Sequence, residues 1–193
     1  HLVPPAIETA VIPETRERET QNYLLYPAVT WAHKEHKFLI KVIEQFKDLD
    51  LVLVGGRGPL HNEVLTAIQR SPASDRITHL GTVDQEKLDD LYRHALCTAF
   101  PSQYEGFGQP VIEAMARGCP VISSQGGALP DTVGTGGITI PTELDQWIEA
   151  VNTVRQPDRR QQWIENGFKR AADFSNDQAA TAQIAVYNKL LRQ

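Results

Sequence analysis

The chain has 193 residues, 41% of them hydrophobic and 22% charged, with 19 basic against 24 acidic side chains and a net charge of −5. That apolar supply suits one domain with a sizeable core and excludes global disorder. The acidic balance argues against a nucleic-acid binder or a general binder of anionic membranes, and no apolar run approaches the length of a bilayer span.

The N-terminal His1-Leu2-Val3-Pro4-Pro5 shows no basic region followed by an apolar one, so no secretion signal is visible. Pro13 and the charge run Glu14 to Glu19 follow, and residues 1–22 read as a linker or arm ahead of a domain over 23–193. Tyr23 to Tyr26 reads as a short strand. Glu35 to Lys47 reads as a helix with Phe38, Leu39, Val42, Ile43 and Phe46 on one face. Leu51 to Val54 is a strand stopped by Gly55-Gly56, Asn62 to Arg70 a helix, and Ile77 to Leu80 a strand. Asp84 then caps a helix carrying Leu88, Leu91 and Tyr92.

The alternation continues through a strand at Cys97 to Phe100. A helix over Pro110 to Arg117 has proline in its first turn and Gly118 just past its end. Strands follow at Val121 to Ser123 and Ile138 to Ile140, with a helical turn at Ala128 to Val133 between them. Thr142 to Arg155, Pro157 to Ala172 and Asn176 to Leu191 read as helices. Six short strands alternating with helices predict an α/β, Rossmann-like three-layer domain around a six-stranded parallel sheet. Cys97 and Cys119 read as two buried, reduced thiols in strand-like segments, with neither scaffold nor metal spacing.

Parallel sheets of this kind bind ligands at the carboxyl ends of their strands. The usual phosphate signatures are absent there. Pro27-Ala28-Val29-Thr30-Trp31 has no glycine-rich turn, and the glycine frame from Gly56 runs onto His61 with Pro59 interrupting. The strongest signal is Pro101 to Ala114, where a strand ends, Gly106 and Gly108 let backbone approach a ligand, and a helix starts at Pro110. A helix start presents N–H groups and partial positive charge, which suits a diphosphate. Glu105 and Glu113, eight residues apart, would repel that anion, so they are better matched to hydroxyls. Diphosphate and hydroxyls together describe a nucleotide-sugar.

These residues resemble a known family. Glu105-Gly106-Phe107-Gly108, Glu113-Ala114-Met115-Ala116 and Gly118-Cys119-Pro120-Val121-Ile122 are similar to the E-x7-E region of family-4 retaining glycosyltransferases of GT-B fold. Lys34, Leu53-Val54-Gly55-Gly56, His79-Leu80-Gly81-Thr82-Val83, Gly126-Gly127-Ala128-Leu129-Pro130 and Phe174-Ser175 fall in the family's order. The resemblance implies that Glu105 meets the donor sugar's hydroxyls beside the anomeric carbon, assisted by the amides of Phe107 and Gly108. It implies that Glu113 holds the ribose, that Lys34 neutralises the diphosphate, and that the base lies near Val83. Gly106, Gln109, Gly56 and Arg57 complete the expected donor site, although a loop arginine such as Arg57 can equally be solvated. Positive charge from Lys34 and the helix start would stand in for a metal, so neither metal nor cofactor is expected.

The chain departs from that pattern in two places. Val29 stands where many members carry arginine, with Arg57 or His33 as candidates to compensate, and Glu35 stands where asparagine or glycine is frequent. His33 and His36 read as exposed loop histidines rather than a metal pair, and Trp31 and Trp147 as packing residues. The resemblance covers roughly residue 20 onward and implies one half of a GT-B fold: the carboxyl-terminal, donor-binding domain, with the amino-terminal acceptor-binding domain missing. The expected location is cytoplasmic, or peripheral at the inner face of the membrane through the missing domain. Glu105-Gly106-Phe107-Gly108 favours a transferase over a phosphorylase or epimerase of the same fold. A non-catalytic nucleotide-sugar-binding module is the other class.

Overall fold

Six parallel strands form the centre of the computed structural model, which describes residues 20–175 together with 180, 181, 184, 187–189 and 191. They are β1 (Tyr23–Pro27), β2 (Asp50–Val54), β3 (Ile77–His79), β4 (Cys97–Phe100), β5 (Val121–Ser123) and β6 (Ile138–Thr139). Their spatial order is β3-β2-β1-β4-β5-β6. In register, Leu24 of β1 lies between Leu51 of β2 and Cys97 of β4. All four residues of β4 are buried, as are the first four of β1, because helices cover both faces of a central parallel strand.

The connecting helices are α1 (His36–Ile43), α2 (His61–Arg70), α3 (Gln85–His94), α4 (Gln109–Ala116), α5 (Leu129–Val133), α6 (Leu144–Val154) and α7 (Pro157–Ala172). Right-handed crossovers send α1 and α2 to one face of the sheet and α3 and α4 to the other, because the strand order reverses between β1 and β4. Contacts agree, with α1 packed on α2 and α6, and α4 on α5 and α7. Leu24, Leu25, Leu39, Leu51, Leu53, Phe100, Ile112 and Trp147 are fully buried at the centre. Each such side chain contributes about 1.5–3 kcal/mol of transfer free energy before entropy is charged against it.

Local signals act as the sequence predicts. The Asp84 carboxylate accepts from the Lys87 N–H at 2.8 Å and so caps α3. Gly118, just past α4, takes φ +69 and lets the chain turn back into β5. Cys97 and Cys119 are buried free thiols, but Cys119 sits in the turn before β5 rather than in a strand. Burial pushes the Cys119 thiol up to about 11, so it is no ready nucleophile.

Other elements differ from expectation at their ends. Helix α1 starts at His36 because Glu35 takes a left-handed φ of +54. It ends at Ile43 because, after the capping Glu44, the amides of Gln45 and Phe46 bond three residues back instead of four. Leu80 falls outside β3 and is exposed. The expected helix over 176–191 and the expected arm lie largely outside the described residues.

Candidate functional site

The reversal of strand order leaves a crevice above the carboxyl ends of β1 and β4. Two loops border it: residues 28–35 after β1, and residues 101–108 between β4 and α4. The first carries Lys34 in a short 3-10 turn, and the second carries Glu105. Lys34 Nζ and Glu105 Oε1 form an ion pair across the crevice, with the side chains only 17% and 12% exposed. The ammonium also lies 5.7 Å from the centre of the Phe100 ring. A cation held by one partner, at the rim of a sheltered crevice, is placed to meet an anion.

Glu105 owes its position to chain far away in sequence. The Ala128 N–H donates to the Glu105 carbonyl at 2.9 Å, and Gly127 packs directly on the Glu105 backbone. A Cβ at Gly127 would come within 2.4 Å of that carbonyl oxygen, and one at Gly126 within 2.2 Å of the Ser102 oxygen. The loop after β5 is therefore a floor on which the Glu105 loop rests. It admits no side chain.

Helix α4 begins where this loop ends. Gly108 is its N-cap residue, in a left-handed conformation at φ +84, and Pro110 lies in its first turn. Phe107 turns its ring inward against Phe174, with centroids 5.4 Å apart, and its carbonyl accepts from Thr132 Oγ1 at 2.5 Å. The exposed edge of this turn is left to Gly106 and Gln109. Glu113 stands one turn into the helix, accepting from Gln109 Nε2 at 3.1 Å and lying 3.4 Å from the Tyr92 hydroxyl, whose one proton it shares with the Pro110 carbonyl at 3.2 Å. Tyr92 is fully buried, and that burial holds its phenol protonated, so it serves as a donor.

The remaining expected site residues lie at the ends of β2 and β3. Gly56 and Arg57 line an open cleft of about 400 Å³ with Gly55, His61, His79 and Thr82. Arg57 is exposed, and Val83, just beyond, is half-buried against the core. His79 accepts from the Gly81 N–H at 3.1 Å, and burial lowers its pKa.

Matching of the chain to known proteins decides the family. A model described as "Glycosyl transferases group 1" matches residues 8–170. The chain belongs to this family. Among its relatives is the O-antigen chain mannosyltransferase B of Escherichia coli, 31% identical, with 88% of this chain and 46% of that protein aligned. Another is the MMP alpha-(1->4)-mannosyltransferase of Mycolicibacterium hassiacum, 28% identical over 99% of this chain and 48% of the relative. The chain spans about half the length of these relatives. A sucrose-phosphate synthase from Thermosynechococcus elongatus superposes on all of this chain and 53% of its own, at a TM-score of 0.85 and 26% identity. Anabaena HepE, solved with UDP and glucose, superposes at 0.77 with 20% identity, over 90% of this chain and 49% of its own, which speaks to fold alone. The structural neighbours are GT-B glycosyltransferases, and the Rossmann-like domain expected from sequence is the fold observed.

Two expectations about this member of the group 1 family need correction. His36 is not an exposed loop histidine; it is 2% exposed, with Nε2 donating to the Ala28 carbonyl at 3.3 Å. Trp147 packs as expected, with its indole N–H on the Pro141 carbonyl at 2.9 Å, but Trp31 is 49% exposed at the crevice rim. The reason is its place as an extended loop residue just ahead of the 3-10 turn, outside any strand or helix face that packs on the core. Residues that sequence reasoning passed over include Tyr26, Tyr92, Gln103 and Thr132. Each acts through a contact more than twenty residues away, except the Tyr26 bond to Lys34. Glu35 explains itself here: its left-handed φ is the conformation that asparagine and glycine adopt most easily. Among the described residues, no helix is long and apolar enough to cross a membrane.

Proposed function

We propose that this chain is the donor-binding domain of a retaining glycosyltransferase. It holds a nucleotide-diphosphate sugar for transfer to a hydroxyl acceptor, in polysaccharide or glycan biosynthesis. The observation that carries the reading is the Lys34–Glu105 pair across the β1/β4 crevice, one helix start away from Glu113. The O-antigen mannosyltransferases among the relatives favour the polysaccharide setting.

In this reading the diphosphate lies over Lys34 and the start of α4, and Glu113 accepts from the ribose hydroxyls. Glu105 accepts from sugar hydroxyls beside the anomeric carbon, with the Gly106 to Gln109 backbone against the donor. Gly56, Arg57 and Val83 border the base. The bond from the anomeric carbon to the diphosphate breaks with its electrons leaving on the diphosphate, whose charge Lys34 offsets. The transition state is oxocarbenium-like, as in other glycosyl transfers, and the acceptor hydroxyl gives its proton to the departing diphosphate oxygen as it bonds to the anomeric carbon. Lys34 and the helix start supply positive charge without calling on a metal. Retention of configuration rests on the resemblance of the Glu105–Glu113 region.

The acceptor site belongs to a separate amino-terminal domain, so this chain alone binds donor and transfers none. Without the second wall, proximity and orientation worth up to about 7–11 kcal/mol are lost. The experiment is a titration of the chain with GDP-, UDP- and ADP-sugars, read as protection against heat, followed by incubation of the best donor with hydroxyl acceptors and mass spectrometry. Protection by one donor class with no product supports the reading. No protection by any donor, or robust turnover, refutes it.

A further inference from the structure

The loops that carry Lys34 and Glu105 meet at the surface through their own contacts: the Lys34–Glu105 pair, and the Gln103 N–H donating to the His33 carbonyl at 2.7 Å. A third contact comes from beneath. Tyr26, the fourth residue of β1, is fully buried, and its hydroxyl donates to the Lys34 carbonyl at 2.6 Å. The same oxygen lies 3.1 Å from the buried Ser102 Oγ in the other loop. A phenol has one proton, already given to Lys34, so the serine hydroxyl is the donor in this second bond. The ring is fixed edge-on to Phe100, at 5.3 Å between centroids, and lies 4.9 Å from His36.

We propose that Tyr26 is a positioning residue for the donor diphosphate: one buried hydroxyl sets the backbone carbonyl of Lys34 and the side chain of Ser102 at a fixed spacing across the crevice. The proposal rests on the donor-site reading above. Its physical basis is that the Ser102 hydroxyl is buried and the Lys34 carbonyl partly so. Without the hydroxyl the Lys34 carbonyl and the Ser102 hydroxyl must seek other partners, and both loops shift to find them. Displacements of about 1 Å at a reacting centre are enough to cost up to about a hundredfold. A serine or threonine at position 26 would not span the gap, since the aromatic ring carries the hydroxyl from the sheet to the loops.

The test is calorimetric binding of UDP, GDP and ADP to the chain and its variants, well below the unfolding temperature. Tyr26→Phe should weaken the best-binding nucleoside diphosphate about tenfold. Tyr23→Phe is the control. It removes a hydroxyl of the same kind at the other end of β1, where it donates to the Leu91 carbonyl at 2.6 Å. That variant should bind within twofold of the parent. A merely structural role is separated by a double-mutant cycle: added to Lys34→Ala, Tyr26→Phe should cost nothing more, because it acts through Lys34. Should Tyr26→Phe fail to fold, Ser102→Ala breaks the same bridge from the other side and should weaken binding in the same direction. Unchanged affinity in Tyr26→Phe, or losses that add to that of Lys34→Ala, would overturn the role of Tyr26 while leaving the donor site standing. A parent chain that binds none of the three diphosphates overturns the donor site itself, and this proposal with it.

Discussion

Glu105 and Glu113 lie eight residues apart, yet they are held by opposite means. Glu113 is placed by a helix: Gln109, one turn back, donates to it, and the helix start fixes where it points. Glu105 is placed by a loop that has no such internal order. Its ion pair reaches Lys34 at the other side of the crevice, its carbonyl is held by Ala128, and its backbone rests on Gly127. One corner of the site is set mainly by local helix contacts, with the Tyr92 hydroxyl as a more distant neighbour, and the other is tertiary throughout. The tertiary corner should therefore fail more sharply under small perturbations, and the helical corner should lose only what is removed.

The sharpest way to break the comparison is Lys34→Ala. It removes the cation of the tertiary corner and leaves Glu105 without a partner in a crevice where it is largely shielded. Nucleoside-diphosphate affinity should fall by about 1.5–3 kcal/mol, the range for hydrogen bonds to charged groups, while nucleoside affinity changes little. Calorimetry with UDP and uridine, or the matching pair for the preferred base, distinguishes the two. Equal losses for both ligands would mean that Lys34 supports the fold and not the phosphate.

A glycine substitution compares the two corners without touching any charge. Gly127→Ala puts a Cβ within 2.4 Å of the Glu105 oxygen at a φ of +61, so the loop must move. Strain of this kind costs about 1–3 kcal/mol, and a lowered thermal midpoint should come with weakened diphosphate binding. Gly106→Ala, at the same turn, meets nothing within 4 Å and should leave the midpoint nearly unchanged. If both variants melt like the parent, the loop after β5 does not support Glu105.

How much of this was legible beforehand follows the same division. The order of strands and helices was plain from apolar periodicity, and Asp84 and Gly118 did as caps what their types suggested, because those effects reach only a few residues. The pairing of two carboxylates around a helix start was legible from spacing. The Gly127 floor, the Tyr26 bridge and the Tyr92 bond to Glu113 were not, since each joins segments that only the folded sheet brings together. Exposure in loops was equally hidden. Trp31 faces outward and His36 inward within six residues, and no period governs a stretch that is neither helix nor strand on entry.

Glu113→Ala sharpens the comparison from the helical side. The carboxylate is solvent-accessible in part and held by neutral donors, so its loss should cost about 1.5 kcal/mol of nucleotide affinity, with the same loss for nucleoside and diphosphate. Thermal stability should barely change, because α4 keeps its buried Val111, Ile112, Ala114 and Met115. Unchanged nucleotide affinity in a folded variant would remove Glu113 from the donor site.

The smallest effect expected is one of pH, and it too is confined to the tertiary corner. His36 opens α1, and its Nε2 donates to the Ala28 carbonyl, tying the helix to the loop that leads to Lys34. Its Nδ1 is buried without a partner, so the ring is held neutral. Burial is the main cause, opposed by the Ala28 bond and reinforced by the nearby charges of His79 and Lys34, and together they bring the pKa down to about 4 from an ordinary 6.5. Between those values the unfolded chain binds a proton that the folded chain refuses, so stability rises with pH across this window. The contribution of His36 is fully present above pH 6.5 and is lost as pH falls toward 4. Between pH 7 and 5.5 the loss amounts to about 1 kcal/mol. Denaturant melts of the parent and of His36→Gln, which keeps a donor near the Ala28 carbonyl, isolate this effect from the carboxylates common to both. The parent should lose more stability than the variant over that interval. Parallel pH profiles would show that the ring accepts its proton in place and that this corner carries no such penalty.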